Sequence, residues 1–492
     1  MAGRAEHYGL SKVRLAAEAA KRDPASFWAS KLDLISWFSR PRSIVEGSPP
    51  NVTWFAGGTT NVSYNAVDVH VERGEGDRVA LYWEDESGRS RAVSYRELFY
   101  EVNRAAYVLR ELGVGRGDVV ALYMPSSPEA LYFSLAALRL GAVISPHYAG
   151  LSEEALRTRL ADSSPKVLVT SERTVKGGQE VPLREFAEKV LDSTSLGTRV
   201  LVVEREGERS GGGSRRDVFY RDVAPRGRVY VPPEPVEADA PSIIYYTSGT
   251  TGRPKGLVHS HGGYLLALVW DFVGLLGPGP GDVWWTVSDL GWPLWAMTFV
   301  YAAPALGVPA VMFEGSISYR PDTFSYVVRK YGVTLFWAST TTLYTLKSLG
   351  DEAVGGADSL RIILNTGEPL NVGAWQWFRE RLPGAYIGDA YWLTEHHTPV
   401  AATPFGIAEI PFKPGSAGVE FPGSSFYVVD DEGRPLPPGE KGYIVLKPIT
   451  PALARMWNDP GGERLAKTYW SRFPGYFYTG DYGYVDEDGY LY

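Results

Sequence analysis

Between Ser94 and Ser171 the chain alternates short apolar runs with segments of helical periodicity, and this repeat limits the fold more than any other feature. Ser94 and Glu97 have the spacing of a capping box, and Leu98, Val102, Ala105, Ala106 and Leu109 then recur at helical intervals up to Gly113. "DVVALYMP" from Asp118 reads as a buried strand. "SPEALYFSLAALRLGA" from Ser127 reads as a helix ended by Gly141, followed by "AVISP" as a strand, "SEEALRTRLADS" as a helix and "KVLVTS" as a strand. Alternation at this spacing requires crossovers between parallel strands. The expected fold class is therefore α/β with a mostly parallel sheet.

The remaining elements extend this pattern. "PSIIYY" (Pro241 to Tyr246) reads as a strand and "GGYLLALVWDFVGLLG" as a helix, so "TSGTTGRPKG" between them is expected on a strand-to-helix connection. In open α/β sheets that edge is where ligands bind. "FYVVDDEGRPLPPGEKGYIVLKP" reads as a hairpin with turns at Glu432-Gly433 and Pro438-Gly439, and Glu208 to Asp217 as a glycine-rich surface loop. A chain of 492 residues needs two or more domains or large subdomains.

Charge and cysteine content exclude several functions. With 49 basic and 57 acidic residues the net charge is −8, and no basic block suggests a nucleic-acid footprint. The absence of cysteine excludes disulfides, thiolate metal sites and a cysteine nucleophile. No stretch of 18 apolar residues occurs, and Tyr264 to Leu276 is broken by Asp271. The N-terminus is charged throughout, with no apolar core segment of a secretory signal, so a soluble, cytoplasmic protein is expected.

"YYTSGTTGRPKG" (Tyr245 to Gly256) lacks the spacing of a Walker phosphate loop. It nevertheless has the parts of one. Thr247, Ser248, Thr250 and Thr251 offer hydroxyls, Gly249 and Gly252 let backbone N–H groups approach a ligand, and Lys255 supplies charge. On residue types alone it is either a phosphate loop or a solvated turn.

Word for word, this stretch resembles the signature loop of the adenylate-forming superfamily. Three further segments resemble that superfamily in the same order: "NTGEPLN" (Asn365 to Asn371), "GDAYWLTEHHT" (Gly388 to Thr398) and "YFYTGDYGYVDEDGY" (Tyr476 to Tyr490). "WFAGGTTNVSYNAVDVHV", "YAGLSEEAL" and "SDLGWPLW" resemble the branch of acetyl-CoA synthetase and its short-chain relatives, and the likeness runs from about Phe27 onward. The resemblance implies the large N-terminal domain of that fold: an N-terminal extension over 1–75, α/β subdomains over 76–405, and a β-rich subdomain over 406–492. It also implies that the chain ends at a hinge, before a small C-terminal domain carrying a catalytic lysine. Such a chain is expected to bind ATP and acyl-adenylate but turn over slowly, since loss of one transition-state donor costs about 10²–10³ in rate.

The same resemblance implies roles for individual residues. Thr247, Ser248, Gly249, Thr250, Thr251 and Lys255 would surround the β- and γ-phosphates of ATP. Gly367, Glu368 and Pro369 would form the turn beside adenine, with Asp389 and Ala390 near its amine and Tyr391 stacked on the ring. Thr394 would contact the α-phosphate, Glu395 would hold Mg²⁺, and Asp481 would bind the ribose. Lys176 falls where the branch meets the nucleotide of coenzyme A, while Gln179 removes a second charge there; Lys176 as a plain surface lysine is the other reading. The implied partners are ATP/AMP, Mg²⁺, coenzyme A and a short-chain carboxylic acid.

The acyl pocket is expected from Trp292, Pro293, Leu294, Thr366 and Trp392. Trp392 matches a tryptophan that closes the pocket floor and leaves room for few carbons; a core tryptophan that never meets substrate is the alternative. Thr366 and the bulk of Trp295 depart from the acetate pattern, so a small hydroxy or branched acid is a second expectation. His396 and His397 are adjacent and make poor co-ligands, which argues against a metal there. An enzyme with another thiol acceptor, or a non-catalytic nucleotide-binding protein, are the rival functions.

Overall fold

The computed structural model describes residues 2–205, 213–247 and 254–492, with side chains from Gly9 onward. Part of the expected Glu208 to Asp217 loop falls outside these residues.

Two large twisted sheets organise the chain. The first has eight strands in the spatial order Asp217–Phe219, Arg199–Val203, Val167–Ser171, Val119–Tyr123, Val143–His147, Pro241–Thr247, Lys255–Ser260 and Arg455–Met456. Its first six strands are parallel, and Lys255–Ser260 pairs antiparallel with both Pro241–Thr247 and Arg455–Met456. The second has nine strands, with Tyr386–Leu393, Ile362–Thr366, Leu335–Ser339, Trp284–Val287, Ala310–Glu314 and Val79–Asp85 running parallel through its middle. Ser90–Ser94 closes one edge, and His396–Ala402 and Val419–Glu420 close the other, all antiparallel. A third, three-stranded antiparallel sheet contains Phe426–Val429, Gly442–Leu446 and Phe477–Gly483.

Local sequence explains the helices. Ser94 accepts from the Glu97 N–H and starts the helix Tyr95–Glu111, and Gly113 follows its end at φ +83°. Ser127 and Ser152 cap Pro128–Arg139 and Glu153–Ser163 in the same way. Gly262–Leu276 is apolar around its circumference and almost wholly buried, as such a helix must be. It packs on strand residues of both large sheets, and one core cluster joins Leu122 and Ile144 of the first sheet to Trp284, Trp337 and Leu364 of the second. The two large sheets thus share one apolar core.

One expectation is corrected. The residues flanking the threonine-rich stretch are two antiparallel strands, with Thr247 opposite Lys255, so this is a strand-to-strand connection and the helix starts only at Gly262. "KGLVHS" is a strand because Gly256, Leu257, Val258 and His259 are all buried between Pro241–Thr247 and Arg455–Met456. Its lysine, glycine and histidine obscure the alternation that marks a strand.

Candidate active site

Segments from the second and third sheets meet at a cavity of about 310 Å³. One wall is the turn Gly367, Glu368 and Pro369, which leaves the strand Ile362–Thr366. Gly367 sits at φ +100°, a conformation that disfavours any side chain. Two groups fix the turn. The Thr340 hydroxyl accepts from the Glu368 N–H at 3.1 Å, and Asn365 Nδ2 donates to the Glu368 carbonyl at 2.7 Å. The facing wall is the strand Tyr386–Leu393, which contributes Asp389, Ala390, Tyr391 and Trp392. Asp481, from the third sheet, completes the lining, and its carboxylate accepts from the Tyr391 hydroxyl. Burial and the neighbouring carboxylate of Asp481 raise the Tyr391 phenol well above its ordinary value.

Asp389 is buried, and its carboxyl accepts from Asn365 Nδ2 at 2.8 Å and from the Leu370 N–H at 2.9 Å. Burial outweighs these donors and pushes its pKa up to about 7.

Thr394 and Glu395 are the two turn residues between strands Tyr386–Leu393 and His396–Ala402, with Leu393 opposite His396. The Glu395 carboxylate accepts from the Tyr469 hydroxyl, and the Lys255 ammonium lies 5.1 Å from the centre of the Tyr469 ring. Lys255 and Glu395 are therefore brought to the same residue from distant parts of the chain. His259, four positions beyond Lys255, donates through Nε2 to the Thr394 carbonyl at 2.9 Å. Burial lowers its pKa to about 3, so the ring is neutral. Ser248, Gly249, Thr250 and Thr251 lie outside the described residues; Thr247 ends its strand opposite Lys255.

The two adjacent histidines face the interior. His396 donates to the Thr398 carbonyl at 2.9 Å, while His397 shares a hydrogen bond with Tyr264 at 2.7 Å and stacks on His259 at 4.3 Å. Among the described residues, no group of three or more His, Asp or Glu could hold a metal ion. A single carboxylate such as Glu395 is nonetheless the donor Mg²⁺ takes from a protein when substrate phosphates and water fill its shell.

The residues expected at the acyl pocket separate. Trp392 lines the 310 Å³ cavity and packs against Phe272 and Trp337, with ring centres 5.9 and 5.8 Å away. Thr366 is buried and donates to the Ala390 carbonyl at 2.9 Å, so its hydroxyl is already engaged. Trp295 is fully buried against Phe299, which places its bulk in the core. Trp292 and Leu294 line a different cavity of about 440 Å³, together with Lys176, Asp289 and Ser316. Pro293 starts the short helix Pro293–Ala296 between them. Trp292 is 55% exposed, available to a ligand in that second cavity.

Lys176 forms an ion pair with Asp289 and stands opposite Gln179 in a two-stranded hairpin. Its turn is held by a residue the sequence did not mark. The Glu86 carboxylate accepts from the N–H groups of Gly177 at 2.7 Å, Gly178 at 2.9 Å and Ser316 at 2.6 Å. His259 and Tyr469 were likewise not singled out. His259 could have been found from its place on the lysine's strand, but Tyr469 acts across 74 residues and carries no local signal.

Residues 67–456 match the model of the AMP-binding enzyme family, and residues 14–66 match that of the acetyl-coenzyme A synthetase N-terminus. A 3-hydroxypropionyl-coenzyme A synthetase of Sulfurisphaera tokodaii is 40% identical over 95% of this chain and 73% of its own length. An acetyl-coenzyme A synthetase of Streptomyces avermitilis is 38% identical over 96% of this chain and 73% of its own. The solved acetoacetyl-CoA synthetase from Streptomyces lividans has a TM-score of 0.88 at 24% identity, covering 96% of this chain and 73% of that one, and shares the fold.

Proposed function

We propose that this chain, which belongs to the AMP-binding enzyme family, is an ATP-dependent ligase joining a short carboxylic acid to coenzyme A through an acyl-adenylate. The observation that supports this reading is the convergence on one cavity of Gly367, Glu368, Pro369, Asp389, Tyr391, Trp392 and Asp481. The chemistry of these groups matches the parts of a nucleotide. A flat purine fits between the Gly367–Pro369 turn and the Tyr391 ring, its amine and ring nitrogen opposite Asp389 and Ala390. A ribose diol suits the Asp481 carboxylate. The phosphate chain would then extend toward Thr394, Lys255 and the threonine-rich stretch after Tyr246.

In the first step an oxygen of the acid attacks the α-phosphorus of ATP, forming a new P–O bond as the bond to pyrophosphate breaks. In the second, the thiol of coenzyme A attacks the acyl carbon, the bond to AMP breaks and the thiol proton is released. The nucleophiles belong to the substrates, so the protein contributes position and charge neutralisation. Thr394 would donate to the α-phosphate and Lys255 would neutralise the leaving pyrophosphate. Magnesium held by Glu395 and the phosphates would offset the remaining charge. Lys176 and Trp292, in the 440 Å³ cavity, would take the nucleotide end of coenzyme A.

Trp392 sets the acid's length. Its indole is packed on Phe272 and Trp337, and closing the pocket there would leave room for a short acyl group such as acetyl, propionyl or 3-hydroxypropionyl. Each methylene changes selectivity by about 1–3 kcal/mol. Titrating the chain with acyl-sulfamoyl adenosines of increasing length tests both claims. Affinity should peak at the shortest acyl groups, and Trp392→Gly should move the peak to longer ones. A wild-type peak beyond about six carbons, or a variant with an unchanged profile, contradicts the assignment.

A further inference from the structure

We infer that Tyr469 is a positioning residue that couples Lys255 to Glu395 and thereby makes nucleotide binding depend on Mg²⁺. The inference rests on the proposed reading of those two residues. Tyr469 ends the helix Glu463–Tyr469 and is buried, with its ring stacked on Phe477 at 4.7 Å and 13° between planes. Phe477 begins the strand Phe477–Gly483, which carries Asp481. The ring is thus fixed from one side by the strand that supplies the proposed ribose ligand.

Its two other faces of chemistry serve the proposed phosphate end. The hydroxyl donates to Glu395, and the Lys255 ammonium lies over the ring. The hydroxyl holds the carboxylate in one orientation before any ion arrives, so less freedom is lost when it coordinates. A cation–π contact similarly keeps the flexible lysine stem near the cleft instead of in solvent. The two contacts use different parts of one side chain, so the hydroxyl contact can be removed while the ring contact is kept.

Tyr469→Phe keeps the ring, its stacking on Phe477 and the contact with Lys255, and removes only the hydroxyl. Tyr469→Leu removes both. Calorimetric titration of the 492-residue chain with ATP, in Mg²⁺ and in EDTA, distinguishes the two effects. Tyr469→Phe should weaken ATP binding about tenfold in Mg²⁺ and leave binding in EDTA unchanged. Tyr469→Leu should weaken it in both. An equal loss for Tyr469→Phe in both conditions would indicate a merely structural role and overturn the inference, as would no loss at all. Wild-type chain that binds no ATP in either condition overturns the functional reading and this inference together. Thermal melts of each variant, expected within a few degrees of wild type for Tyr469→Phe, exclude unfolding as the cause.

Discussion

Asp389 combines burial with two hydrogen-bond donors, and the balance between them makes a testable residue-scale claim. Its pKa of about 7 lies above the ordinary 3.8, so between these values the folded chain keeps a proton that the unfolded chain has released. Stability contributed by this group is therefore greatest at low pH and is lost as pH rises toward 7, by at most about 1.4 kcal/mol per unit. Asp389→Asn cannot titrate. Its stability relative to wild type should improve by about 1–3 kcal/mol between pH 5 and pH 8 in denaturant unfolding. A gap that stays constant would show that the carboxyl is ionised throughout. Legibility at this scale was uneven. Gly367, Asp389 and Asp481 each belong to a short contiguous motif, and the structure brings all three to one cavity. Thr366 and Trp295 depart from the acetate pattern, yet the Thr366 hydroxyl is tied to the Ala390 carbonyl and Trp295 is fully buried in the core. A substitution read in one dimension does not reveal which way its side chain faces.

The hairpin that carries Lys176 shows how an element depends on groups far from it. Arg173–Lys176 and Gln179–Pro182 form only a two-stranded ladder, which is marginal by itself. Glu86 ties its turn to Ser316 and hence to the second sheet. Glu86→Ala should free the turn and weaken coenzyme A binding by about 1 kcal/mol, with ATP affinity unchanged. Direct titration of both ligands checks this; equal losses for both would contradict it. Strand and helix alternation was legible over Ser94 to Ser171 because each strand from Val119 to Ser171 is wholly buried and opens on an apolar run, and each helix is capped by serine. The strand Lys255–Ser260 was hidden by its polar residues. One of them, His259, is buried and donates to the Thr394 carbonyl, so a residue that made the element hard to read also joins it to the proposed site.

At the scale of the whole molecule, the two large sheets share one core, and the proposed substrates lie where they and the third sheet meet. Lys255 comes from the first sheet, the Gly367–Pro369 turn and the Tyr386–Leu393 strand from the second, and Asp481 from the third. Sequence order supplied the motifs, but their meeting around Tyr469 and Tyr391 depends on contacts spanning 74 and 90 residues, which no local pattern encodes. Determining the structure of the chain with AMP bound is the most direct test. Adenine should lie between the Gly367–Pro369 turn and the Tyr391 ring, with its ribose on Asp481 and its phosphate at Thr394. AMP bound in any other cavity, or with its base turned away from Tyr391, would contradict the account.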